Sequence, residues 1–128
     1  MPTRASDGSL VLQVLLIDDN LTQLRIREAV LREADFSVSS AGTAEHALEV
    51  LRLSAAGPDV IITDHVLPGA SGSAFVNQLR QISPRVPVIV IRGMAEAESE
   101  YDDLNVVFLR KPCPPDALIR EVMATIRH

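Results

Sequence analysis

Five short runs of β-branched and aliphatic residues, at 10–17, 37–40, 60–63, 86–91 and 106–109, recur at intervals that leave room for a helix between each pair. The first, third and fourth are nearly all apolar, which is how strands buried on both faces read. Between and after the runs, apolar residues fall at helical spacing. Leu24, Val30, Leu31 and Ala34 make one stripe, Ala47, Leu48, Leu51 and Ala55 a second, and Phe75, Val76, Leu79 and Ile82 a third. Leu118, Ile119, Val122, Met123 and Ile126 make a fourth, on a helix starting near Pro115. Thr43 is the expected N-cap of the second helix, Gly57-Pro58 its stop, and the third must end before Pro84. The segment 94–104 crowds Glu96, Glu98, Glu100, Asp102 and Asp103 onto little apolar surface and is expected to form only a short helix. The alternation βαβαβαβαβα predicts a doubly wound α/β fold, with a five-stranded parallel sheet and helices on both faces.

A chain of 128 residues suits one domain, read here as a flexible N-terminal segment at 1–9 and a folded unit at 10–128. Twelve Lys and Arg against seventeen Asp and Glu give a net charge of -5, which disfavours nucleic-acid binding by this domain. No apolar run approaches the roughly 20 residues of a membrane span. The polar N-terminus lacks the apolar stretch of a secretory signal, so a cytoplasmic location is expected. Cys113 is the single cysteine, without Cys or His at ligand spacing, and reads as a small filler.

Ligands of doubly wound sheets bind beyond the C-terminal ends of the strands, where strand order reverses. Asp18 and Asp19 follow the first run and Asp64 follows the third, where no strand pattern requires charge. Brought together on one sheet edge, three acids repel unless a cation sits among them, and a hard oxygen-liganded ion such as Mg2+ suits the set. Lys111, after the fifth run, supplies a compact positive charge for an anion held there. Three acids, a lysine and a parallel sheet make a phosphoryl-handling constellation, with an Asp as nucleophile. Taken singly, Asp18-Asp19-Asn20 also reads as a turn and N-cap, Asp64 as a turn residue, and Lys111 as a solvated surface lysine.

In combination, Leu15-Leu16-Ile17-Asp18-Asp19-Asn20, then Ile61-Ile62-Thr63-Asp64 with Leu67-Pro68 and Gly72, then Lys111-Pro112, resemble the response-regulator receiver domain of two-component signalling, over about residues 10–127. The resemblance implies a flavodoxin-like (βα)5 fold with Asp64 as phosphoacceptor. It implies Mg2+ on Asp19, Asp64 and the backbone carbonyl of Val66, reached by Asp18 through water, and Lys111 on the phosphoryl group. It also implies a cis bond before Pro112 and, as partners, a histidine kinase or histidine phosphotransfer protein, with a downstream effector or covalently linked kinase domains. The chain would then be a signalling switch rather than an enzyme with a turnover substrate. Short segments of this kind look like receivers attached to hybrid sensor kinases.

Receivers of this family use a Ser or Thr at the end of the fourth strand and an aromatic on the fifth. Phe108 fits the aromatic, but Arg92 stands at the hydroxyl position. Three poses are open for it: on a phosphorylated Asp64, on the unphosphorylated carboxylates in competition with Mg2+, or out in solvent. The stretch from Arg92 to Lys111 is also a few residues short for the family. Val66 and Met94 are apolar and cannot orient a hydrolytic water, so slow self-dephosphorylation is expected. Neither His46, on a helix, nor the terminal His128 suggests an internal phosphodonor, and His65 reads as a loop residue at the cleft mouth. A haloacid-dehalogenase-type phosphatase would need an acid where Val66 stands, and no phosphate-binding Gly-rich motif is present. The rival reading is a degenerate receiver that acts as a protein-binding module without phosphorylation. Arg92 favours it, and the complete set of Asp18, Asp19, Asp64 and Lys111 opposes it.

Overall fold

The computed structural model describes residues 3–4, 10–54, 56–93 and 95–126. The apolar runs become five parallel strands: β1 (Gln13–Ile17), β2 (Ser37–Ala41), β3 (Val60–Asp64), β4 (Val88–Arg92) and β5 (Val107–Arg110). Their order is β2-β1-β3-β4-β5. The chain therefore reverses its winding between β1 and β3, and the crevice of the fold opens at the C-terminal ends of those two strands.

Side chains of a strand alternate between faces, so each apolar run feeds two cores. Leu15, Ile17, Ile61, Val88 and Val90 pack beneath α2 (Ala44–Leu53) and α3 (Gly72–Ile82), together with Phe75, Val76 and Leu79. Val14, Leu16, Val60, Ile62, Ile89 and Ile91 pack beneath α1 (Leu21–Glu33) and α4 (Pro115–Ile126), together with Leu24, Leu31, Leu118 and Val122. Each such side chain fully buried contributes about 1.5–3 kcal/mol relative to exposure. Thr43 caps α2 as expected, its hydroxyl accepting from the His46 N–H.

The structure corrects several expectations. β1 begins at Gln13, because Leu10–Val11 instead pair antiparallel with Thr3–Arg4. The remainder of the 1–9 segment, Ala55, Met94 and His128 lie outside the described residues. On α1, Ala34 is an exposed C-cap rather than part of the stripe, and the slot between Leu24 and Leu31 is filled by Arg27, buried at 8% exposure. Ile82 and Met123 sit at the margins of their stripes and are exposed. The acidic segment is a 3-10 helix, Ala95–Tyr101, which rises further per residue than an α-helix and so crosses the short gap in few residues.

Arg80, on α3, ties that gap together. Its guanidinium donates to the carbonyls of Leu104 (2.9 Å), Val86 (2.7 Å), Asn105 (3.0 Å) and Ser83 (3.3 Å). Asp103 and Asn105 hold positive φ in the same turn, a conformation that Asp and Asn tolerate better than most residues.

Candidate functional site

The parallel register brings the ends of β1, β3 and β5 to one edge. Asp18 and Asp19 emerge from β1, Asp64 is the last residue of β3, and Lys111 follows β5. Asp64 is 6% exposed, and its Oδ2 accepts from Lys111 Nζ at 2.8 Å while Oδ1 accepts from the Val66 N–H at 3.3 Å. Lys111 is placed by its own N–H, which donates to the Arg92 carbonyl at 2.9 Å, and its bond to Pro112 is cis. Asp18, 1% exposed, accepts from the Asn20 N–H at 2.9 Å and from Arg27 Nη1 at 2.6 Å. Burial pushes the Asp18 carboxyl above its usual range, and the Asn20 N–H and the Arg27 guanidinium pull against that shift. Asp19 is exposed. Asp18, Asp19, Arg27, Asp64, Lys111 and Cys113 line one open cavity of about 480 Å3. Burial raises the Cys113 thiol pKa, as suits a filler.

The acids lining this cavity, Asp18, Asp19 and Asp64, offer carboxylate oxygens, the chemistry that Mg2+ selects while keeping several waters. Among the described residues no group of three His, Cys, Asp or Glu is already gathered as a metal cage. Both oxygens of Asp18 and both of Asp64 already accept hydrogen bonds, so the set fits an ion that keeps several of its waters.

Arg92 is neither on the unphosphorylated carboxylates nor out in solvent. Its side chain is 14% exposed and pairs with Glu98 of the 3-10 helix, and its Nε is buried without a partner. Phe108 is half-buried and meets Tyr101 edge-on, with ring centroids 5.4 Å apart. Tyr101 is buried, and burial beside Glu100 and Asp64 drives its hydroxyl pKa well upward. That hydroxyl lies 2.7 Å from His65 Nδ1, and His65 Nε2 lies 3.6 Å from Glu100, which also accepts from the Ser73 hydroxyl. His65, a loop residue as expected, therefore also ties the loop after Asp64 to the 3-10 helix. Gly72 sits beneath this tie. A Cβ there would stand 2.5 Å from the Tyr101 hydroxyl, 2.8 Å from the Asp64 carbonyl oxygen and 2.9 Å from the His65 Cα.

Residues 14–123 match the family model of the response regulator receiver domain. This chain belongs to the receiver-domain family. Among its relatives are the transcription factor SKN7 of Chaetomium thermophilum, 28% identical over 123 residues, and the cell cycle response regulator CtrA of Brucella ovis, 28% identical over 120 residues. Each match covers 91% of this chain, but 16% of SKN7 and 51% of CtrA, so the receiver spans at most about half the length of those relatives. A response regulator receiver protein from Sinorhizobium medicae superimposes with a TM-score of 0.80 at 28% identity, covering 91% of this chain and 95% of that one. The chemotaxis response regulator CheY4 of Vibrio cholerae shares the fold, with a TM-score of 0.82 at 23% identity over 90% and 98% of the two chains. The chain is thus a receiver domain of the two-component response-regulator type, a family whose standard role is that of phosphoacceptor.

Two parts of this receiver escaped the sequence reading. Arg27 could have been found as the lone cation on the α1 stripe, three residues after Leu24 and four before Leu31. Tyr101 carried no such signal, because its acidic neighbours read as solvent-facing.

Proposed function

We propose that this receiver accepts a phosphoryl group on Asp64 from a histidine kinase or histidine phosphotransfer protein, in a Mg2+-dependent step, and changes its protein contacts in response. The observation that carries the proposal is the 2.8 Å contact between Lys111 Nζ and Asp64 Oδ2 at the crevice of the sheet. A carboxylate oxygen of Asp64 forms the new P–O bond, the P–N bond of the donor phosphohistidine breaks, and the departing imidazole nitrogen is left to take a proton. Lys111, already within reach of the nucleophile, neutralises charge on the transferred phosphoryl oxygens. Asp19, Asp64 and the Val66 carbonyl would hold Mg2+, with Asp18 acting through water, and the ion would supply further charge neutralisation. Val66 is 69% exposed and apolar, which supports slow loss of the phosphoryl group. The same reading places the domain in the cytoplasm, with a downstream effector or linked kinase domains as the target of the switch.

Incubation with Mg2+ and acetyl phosphate, followed by intact-mass measurement, tests this. A phosphoryl adduct that an Asp64→Asn variant lacks is the expected outcome. No adduct at any Mg2+ concentration would favour the phosphorylation-independent binding module.

A further inference from the structure

We infer that Arg27 is a built-in counter-cation of the phosphoryl site, which withdraws the charge of Asp18 from the acids presented to Mg2+ and so sets a weak affinity for that ion. The inference rests on the metal-dependent reading above. Helical spacing forces it locally: position 27 lies on the buried stripe of α1, so its side chain has to end at the sheet edge rather than in water. There the guanidinium meets Asp18 at 2.6 Å, and the two side chains are 9% and 1% exposed. An arginine keeps its charge at every physiological pH. A buried pair of this kind is a fixed counter-ion, because removing either partner leaves an uncompensated charge in the core. The other Asp18 oxygen is occupied by the Asn20 N–H.

The electrostatic consequence can be counted on the cavity wall. Asp18, Asp19 and Asp64 carry three negative charges, and Arg27 and Lys111 return two positive ones. Without Arg27 the wall would hold twice the net negative charge, and a divalent ion feels that difference doubly.

The test is a Mg2+ titration of the purified receiver at pH 8, read as amide shifts in NMR spectra and, independently, as the rise in Tm with Mg2+. Arg27→Gln is expected to bind Mg2+ about tenfold more tightly than the wild type, the order expected for one unit charge acting on a divalent ion at a water-exposed site. Arg27→Lys keeps a positive charge beside Asp18 and is expected to bind within about threefold of the wild type. Unchanged or weaker binding by Arg27→Gln, or absence of binding in both wild type and variant, overturns the inference. So does a gain of about tenfold in Arg27→Lys, which keeps the charge. Should Arg27→Gln fail to fold, Arg27→Met removes the same charge from a similar volume, and the same gain of about tenfold or its absence decides the matter. The acetyl phosphate adduct on Asp64 separates the two readings. An adduct with unchanged Mg2+ affinity in Arg27→Gln sinks the role of Arg27 alone, whereas tighter Mg2+ binding without an adduct sinks the phosphoacceptor reading alone.

Discussion

The Arg92–Glu98 pair is lopsided, and its two halves should not cost the same to remove. Arg92 is 14% exposed with a buried, unpartnered Nε, whereas Glu98 is 38% exposed. Glu98→Ala leaves a mostly buried guanidinium without its counter-charge. Fully buried pairs lose about 3–5 kcal/mol on such a cut and surface pairs 0–1, so this half-covered pair should lose about 2 kcal/mol. Arg92→Thr leaves behind a carboxylate that water can reach, and it also removes the unsatisfied Nε, so it should cost under about 1 kcal/mol. The double variant should resemble Arg92→Thr, giving a coupling of about 1–2 kcal/mol. Urea unfolding of the four proteins measures these differences. With about 2.1 cal/mol/K of unfolding entropy per residue, each kcal/mol also moves the Tm of a domain this size by about 4 °C. Equal costs for the two single variants, or a larger cost for Arg92→Thr, would refute the reasoning.

Three further outcomes follow from the same geometry. Gly72→Ala drives a methyl against the backbone of Asp64 and His65 as well as the Tyr101 hydroxyl, so it should cost about 1–3 kcal/mol and slow adduct formation on Asp64; a variant with wild-type Tm would show that the loop yields freely. Tyr101 is the only tyrosine, and its folded pKa is raised above the ordinary 10.0, so its contribution is intact below that pH and stability is lost as pH climbs through the folded value. Phenolate absorbance should therefore appear only as circular dichroism reports unfolding, and titration near 10 in the folded protein would contradict the burial argument. Arg80→Met strands four carbonyls and should cost about 2–4 kcal/mol, with little rescue by Arg80→Lys, whose single ammonium cannot span them; a wild-type-like lysine variant would remove the clamp.

The sheet was legible because a strand buried on both faces has no freedom to be polar, and β3 and β4 show that constraint at nearly every position. The acids and the lysine were legible because charge at the end of such a strand is expensive unless something uses it. Gly72 was visible as part of a pattern, but its reason, a Cβ with nowhere to go, exists only in three dimensions. Arg27 was missed because arginine on a helix normally snorkels to water. Nothing in its own segment announces that Asp18 waits beneath it. The Arg92–Glu98 pair was missed for the converse reason: Glu98 belongs to an acidic run that by composition looks fully solvated. Pairing between distant charges is a property of the folded edge, and single-residue chemistry can narrow it to a few poses without choosing among them.

The 3-10 geometry of 95–101 has a mechanical meaning. With three residues per turn, positions i and i+3 eclipse one another, so Glu98 and Tyr101 lie in a single row along the segment. One end of that row is hooked to Arg92 on β4, and the other is seated against His65, next door to Asp64. A bar pinned twice along one edge cannot roll about its axis and keep either pin. The segment therefore joins the loop after Asp64 to the tip of β4 through two side-chain contacts, a connection that needs no hydroxyl at position 92.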